Sequence, residues 1–257
     1  MSISQLTTAK EKHSIDTVRF IIEWRESLSD LQLQDFANIT FTNYPHETPI
    51  QKFELYIDSE QSSRQVHELA GYRFTKSKTD LSKVLEITKE RLIYADNDYE
   101  SWEIFKEEIK QILDNFPKAM KEIVKTKLSM LLLQYIDVFI WKDALENLNL
   151  SEIFKEDDSE FLPKRFFSAK SYQHVHSGYV SDQDCSTQID NINVSIERNP
   201  QTDKEHLIKI STNHMIRLSD DCIIDLINKT DSLHDDNKKT LRALLSDEVL
   251  KKIHLLD

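Results

Sequence analysis

The chain has 257 residues, 39% of them hydrophobic, with 12 Phe, 8 Tyr and 3 Trp, enough apolar material for a sizeable core. Asp and Glu outnumber Lys and Arg by 45 to 33, a formal net charge of -12; this argues against nucleic-acid binding, which needs a basic surface to displace counterions, and for steering toward a basic partner. Gly71 and Gly178 are the only 2 glycines, which excludes glycine-rich phosphate loops, the dinucleotide-binding turn and the nucleophile elbow, and leaves tight turns to Asn and Asp.

Cys185 and Cys222 stand far apart and match neither a disulfide framework nor a zinc spacing. The first residues carry no apolar leader, and no stretch reaches the roughly 18 apolar residues needed to span a bilayer. A cytoplasmic protein without a membrane span is expected.

In chain order, residues 1–14 are polar and expected to be loose. Val18, Phe20, Ile22 and Trp24 alternate with mostly polar neighbours, as in a half-buried strand. Ser27 can cap a short helix carrying Leu28, Leu31 and Phe36. Tyr44-Pro45 to Pro49 reads as a loop, Phe53–Ile57 as a strand and Asp58–Glu68 as a polar run. Gly71 then introduces strand material at Tyr72–Thr75, Val84–Ile87 and Leu92–Tyr94.

The strongest signal lies between Tyr99 and Trp141. Trp102, Phe105, Ile109, Ile112, Leu113 and Phe116 recur at steps of three and four, lining one face of a helix. Asn97 and Asp98 are placed to cap it, and Glu100 and Glu103 to favour its positive end. Pro117 must stop or kink this helix, which restarts through Lys118–Lys125. Leu128–Trp141 ends on Val138-Phe139-Ile140-Trp141, a β-type composition, and is predicted to be a strand buried on both faces.

Beyond Trp141, Leu145–Phe154 suits a helix, and Glu156-Asp157-Asp158 with Pro163 marks a loop. Phe166–Val180 is mixed, with a turn at Gly178. Ile192, Val194 and Ile196, the cluster Asn199–Asp203 and then Leu207–Ile210 predict a hairpin. Leu241, Leu244, Leu245, Val249, Leu250 and Ile253 fall at helical steps, with Ser246 dividing two helices. The expected fold class is α+β, mainly antiparallel sheets with helices packed on one face. The expected division is a flexible 1–14, a first half 15–155 holding the long helix and central strand, and a second half 156–257 with the C-terminal helices. Both halves run strands first and end on a helix, which suggests two similar units, although no register of identical residues marks a repeat.

Several short motifs appear in order: Gly71-Tyr72-Arg73-Phe74, Tyr99-x-x-Trp102-x-x-Phe105, Leu133-Gln134-Tyr135-Ile136-Asp137, and His234-x-x-Asn237 ahead of Leu244-Leu245-Ser246. From about Val18 onward the chain thereby resembles a sporadically distributed prokaryotic family of similar length that carries no functional name. The resemblance implies the α+β fold and transfers no activity. That family commonly has an arginine before the tyrosine of the central strand; Gln134 stands there in this chain, so an anion-binding use of the position is not expected. The family's patchy distribution implies, by analogy alone, a defence or toxin-neutralising module.

Four residues are candidate contacts for a ligand or partner: Tyr99, Trp102, Gln134 and Asp137. The two aromatics suit a half-dry interface, but their place on an apolar stripe favours core packing. Asp137, alone among apolar neighbours, must find a partner or raise its pKa; a structural bond to Arg or Lys is the plainer account, and Gln134 has the same ambiguity. His174 and His176 would share a strand face without a third ligand nearby, so no metal is assigned. His206, His214 and His234 have no serine or cysteine companion in sequence, and Asp220-Asp221 and Asp235-Asp236 read as helix caps. No catalytic residue and no cofactor is assigned. The leading expectation is a non-catalytic interaction protein that binds a protein partner or itself. The competing one is an enzyme or small-ligand sensor with a site between the halves near Gln134 and Asp137.

Overall fold

The computed structural model describes the chain except residues 1–2, 11–12, 40, 42, 58–62, 157–159, 169–170, 184, 203, 221 and 257. Part of the expected polar run, two residues of the acidic loop (Asp157 and Asp158) and Asp221 therefore lie outside the described residues. A short 3-10 helix, Ile3–Gln5, leads into β1 (Leu6–Thr8), β2 (Ile15–Trp24), α1 (Asp30–Ala37), β3 (His46–Ile57), β4 (Ser63–Thr75), β5 (Lys83–Thr88) and β6 (Arg91–Asp96). Then follow α2 (Trp102–Asp114), α3 (Lys118–Thr126), β7 (Leu128–Trp141), α4 (Leu150–Ile153) and α5 (Lys164–Ser168). The chain closes with β8 (Gln173–Gln183), β9 (Ser186–Arg198), β10 (His206–Leu218), α6 (Leu226–Leu244) and α7 (Asp247–Lys252). The α+β class is as predicted.

The chain forms two compact units, Met1–Arg19 with Leu132–Asp257, and Phe20–Leu131. The expected division at 155/156 therefore falls inside the first unit. The reason is that β7 supplies a strand to the same sheet as β8, β9 and β10, so the core of that unit cannot be assembled from 156–257 alone.

In the first unit the strand order is β7-β10-β9-β8, with β1 added on β7 and Ile15–Arg19 of β2 beside it. Burial alternates along β10, the even-numbered residues from His206 to Leu218 facing inward. Ile208 and Ile210 there join Ile192, Val194 and Ile196 of β9, Phe139 and Trp141 of β7, and Leu241 and Leu244 of α6 in one core, with Val249 and Leu250 of α7. Each fully buried Leu, Ile or Phe contributes on the order of 1.5–3 kcal/mol of transfer free energy. The opposite face is only half-buried: along β7, Leu132, Gln134, Ile136 and Ile140 keep part of their surface exposed. The strand predicted to be buried on both faces is thus fully buried on one.

Other expectations change here. Leu6–Thr8, read as part of a loose terminus, pair with Phe139–Trp141, and Leu6 is fully buried. Gly178 lies within β8, not in a turn; an added Cβ would sit 2.5 Å from Asn191 Oδ1, so the side chain of the neighbouring strand fills the space. Cys185 and Cys222, matched to no framework in sequence, are joined, with Cα atoms 5.5 Å apart, tying the β8–β9 turn to the segment after β10. The predicted hairpin is β9–β10, and Ser246 caps α7 as expected, accepting from Val249 N. Asp225 caps α6, whereas Asp235 and Asp236 lie in its interior. Among the described residues the only positive φ is at His254, at 58°, so the described turns are closed without left-handed Asn or Asp.

In the second unit the order is β3-β4-β5-β6, followed by Phe20–Trp24 of β2. Helices α2 and α3 meet the prediction on either side of Pro117, burying Phe105, Ile109, Ile112 and Met120. The α2 cap is Ser101, accepting from Ile104 N, while the Asn97 side chain donates to Leu81 O and Asp98 N to Asp96 Oδ1. The Pro45–Pro49 loop is largely strand: β3 begins at His46 and tolerates Pro49 because it is an outer strand. Ala70 bulges out of β4, and at Gly71 an added Cβ would lie 2.2 Å from Ile87 O.

Candidate functional site

Gln134 and Asp137 are three apart on a strand, and successive side chains of a strand point to opposite faces. Gln134 lies on the half-buried face, where its Oε1 accepts from Arg19 Nη1 at 3.0 Å and its Nε2 donates to Asn213 Oδ1 at 2.6 Å. An arginine therefore does approach this position, but from β2. Asp137 lies on the core face, 1% exposed, accepting from Ser14 Oγ at 2.6 Å. Burial pushes its carboxyl up to about 6, against the lowering effect of the Ser14 bond. The partner is a hydroxyl, not the Arg or Lys expected. The two residues do not converge on one site.

Tyr99 and Trp102 belong to the other unit. Tyr99 is 7% exposed and meets the Phe105 ring edge-on at 6.0 Å; Trp102 is half-buried, 6.0 Å from the same ring. Core packing accounts for both.

The motif residues of the C-terminal helix meet the central strands. Tyr135 Oη lies 2.7 Å from His234 Nδ1, and Thr212 Oγ1 donates to Asn237 Oδ1 at 2.5 Å. Beside them His214 Nδ1 lies 2.7 Å from Asp190 Oδ1, and Gln188 Nε2 donates to both Asp190 Oδ2 and Asp236 Oδ2. This buried polar layer fixes α6 on the sheet. Tyr135, His214, His234, Asp236 and Asn237 were singled out in the sequence, but their partners Thr212, Gln188 and Asp190 were not, because the pairing depends on strand register.

The second unit holds a cavity of about 230 Å³ lined by Phe41, Tyr44, Glu108 and Gln111 among others. Glu108 accepts from Tyr94 Oη and from Lys83 Nζ at 2.7 Å, and Lys83 also meets the buried Asp96 at 3.6 Å. Burial raises Tyr44, Tyr94 and Asp96; it opposes the charge on Lys83, but Glu108 and Asp96 outweigh it, and that pKa is raised. The volume is below the roughly 300 Å³ at which organic-ligand pockets begin, and the charges largely compensate one another.

A surface feature that the sequence reading did not single out is the free edge of β8. This strand pairs with β9 over its whole length without a bulge and ends the strand order. Among the described residues, no strand pairs with it on its other side. Its odd-numbered side chains reach the preceding segment: Gln173 Nε2 donates to Phe166 O, Ser177 Oγ to Phe161 O at 2.6 Å and Tyr179 Oη to Glu160 O at 2.5 Å. Its even-numbered residues, His174, His176, Val180 and Asp182, are exposed, with His176 Nδ1 2.5 Å from Asn193 Oδ1. A cleft of about 440 Å³ lies between residues 160–165 and His174–Ser177. Outer strands are ordinarily blunted by charge, proline or bulges. β3, the outer strand of the other unit, carries Glu47, Pro49 and Lys52 and faces the bulge at Ala70. β8 has no lysine, arginine, glutamate or proline, and it exposes Tyr179 by 43% and Val180 by 68%. The His174 and His176 spacing already placed two residues on one strand face; it was the glycine, read as a turn, that hid the remaining length.

Fold and surface together define an α+β protein of antiparallel strands faced by helices, with one unguarded sheet edge. No known family model matches this chain, and no curated protein matches it either. Among the described residues no helix is long and apolar enough to cross a membrane.

Proposed function

We propose that this is a non-catalytic interaction protein that engages another polypeptide by strand addition along β8. By analogy with the scattered prokaryotic family it resembles, it serves a defence or toxin-neutralising module. The observation that carries this reading is the place of β8 as the last strand of its sheet, without bulge, proline or lysine and beside a cleft, since strand addition draws affinity from main-chain bonds along such an edge and specificity from pockets beside it. The net charge of -12 supports a protein partner over nucleic acid. A cytoplasmic location belongs to the same proposal, and there the Cys185–Cys222 bond seen in the structure would be exposed to reduction.

The competing reading, an enzyme or sensor built on Gln134 and Asp137, has no observation in its favour, because the two side chains face opposite ways and Asp137 is closed off from solvent. The deciding experiment is cross-linking and capture in the native host with the wild type and with Val180→Lys. Cross-links to a polypeptide through residues 173–183, lost in the variant, are expected. Cross-links elsewhere that survive the substitution, or no captured chain at all, overturn the proposal.

A further inference from the structure

We propose that the Cys185–Cys222 bond is a thiol-exchange site, opened by attack of an incoming thiolate at Cys185 and selective for thiols that carry positive charge. This reaction is independent of strand addition at β8. Pairing of β8 with β9 closes at Gln183 and Ser186, which puts Cys185 in the turn between them, where it is exposed. Cys222 is 6% exposed. Thiol–disulfide exchange needs the attacking sulfur to reach one sulfur of the pair, so access selects Cys185 as the sulfur attacked and Cys222 as the one that leaves. The step balances: a bond forms between the incoming sulfur and Cys185 Sγ, the Cys185–Cys222 bond breaks, and Cys222 departs as a thiolate that takes a proton from water. A dithiol completes the reduction when its second thiolate attacks its own first sulfur in the mixed disulfide, which oxidises the dithiol and leaves two thiols on the chain.

Charge near the two sulfurs sets the class of thiol. In the sequence Asp182 and Asp184 stand before Cys185, Asp220 and Asp221 stand before Cys222, and no Lys or Arg occurs from 171 to 197 or from 218 to 228. That surplus of carboxylates disfavours an approaching thiolate that is anionic overall and favours one that also carries an ammonium group. The fold sets what opening releases. Ser219 N and Ser219 Oγ both donate to Cys185 O at 2.9 Å, and Leu218 pairs with Ser186, so the β9–β10 ladder stays joined up to the turn when the bond is broken. Beyond Ser219 the bond ties down the connection to α6, whose first turn is held by the Asp225 cap. Reduction therefore loosens the stretch between Ser219 and Asp225, two points that remain fixed. A monothiol leaves its adduct on Cys185, two residues beyond the end of β8.

The test treats the oxidised full chain with cysteamine and with mercaptopropionate at about pH 8, near the pKa of an ordinary thiol, with acid quenching at early times and peptide mapping. The first adduct should lie on Cys185, with Cys222 as the free thiol. Per thiolate, cysteamine should react at least about tenfold faster at about 0.02 M ionic strength, and the ratio should shrink at about 0.5 M. Amide exchange of the chain reduced with dithiothreitol should quicken between Ser219 and Asp225 and stay unchanged over residues 208–216 of β10. Single variants give a second route: cystamine should modify Cys185 readily in Cys222→Ser, and Cys222 at least about tenfold more slowly in Cys185→Ser. A first adduct on Cys222, equal rates for the two thiols at low salt, or reduction no faster than global unfolding overturns the proposal. So does a chain isolated with two thiols that cystamine does not join.

Discussion

Asp137 is held where an ionised carboxylate is poorly solvated, and its Oδ2 has no hydrogen-bond partner among the described residues. Its pKa in the folded chain, about 6, lies above the value of about 3.9 for an unfolded aspartate. Folding therefore favours the protonated form: this contribution is most favourable below about pH 4 and is lost as pH rises through about 6. A shift of about two units corresponds to about 3 kcal/mol. Urea midpoints of the wild type and Asp137→Asn, which keeps an acceptor for Ser14, should nearly coincide near pH 4 and separate by about pH 7.5, with the variant more stable. Parallel profiles would contradict this. At Gly71 the nearest atoms to an added Cβ are backbone atoms of Ile87 and Thr88, which cannot rotate away. Gly71→Ala should cost about 1–3 kcal/mol in the same titration, and an unchanged midpoint would show that the strands can separate there. The burial of Asp137 was legible from its apolar neighbours. Ser14, 123 residues away, was not, because a cross-strand partner is fixed by register and not by local pattern.

At the level of elements, the Cys185–Cys222 bond closes a loop over a separation of 37 residues, for which the chain-entropy account gives about 4 kcal/mol. The oxidised protein should therefore melt above both its reduced form and Cys185→Ser/Cys222→Ser; equal melting temperatures would mean that the bond constrains nothing in the unfolded chain. The pairing itself escaped the sequence because two cysteines carry no spacing signal of their own. Periodicity did locate α2, α3, the β9–β10 hairpin and α7, since each is specified by residues close in the chain. It failed at β3 and β8, where proline or glycine inside a strand mimics a turn, and at the start of α6, whose buried face is polar at Thr230, His234 and Asn237.

For the whole molecule, charge sets the conditions under which a partner approaches: a net charge of -12 repels acidic surfaces and attracts basic ones. Raising ionic strength from about 0.02 M to about 0.3 M shortens the screening length below about 10 Å and should weaken capture of a basic partner polypeptide several-fold. Capture indifferent to salt would show that charge does not steer the encounter. Composition and pattern made the α+β class legible, but the compact units were not: a strand from the middle of the chain joins a sheet completed after residue 170, and no composition shift announces that return. The contrast between the two outer strands has one more consequence. A strand added along β8 would use up that edge in a single event, and the proline, lysine and bulge at β3 offer no second template. A complex formed that way ends with its first added strand and does not propagate into a fibre.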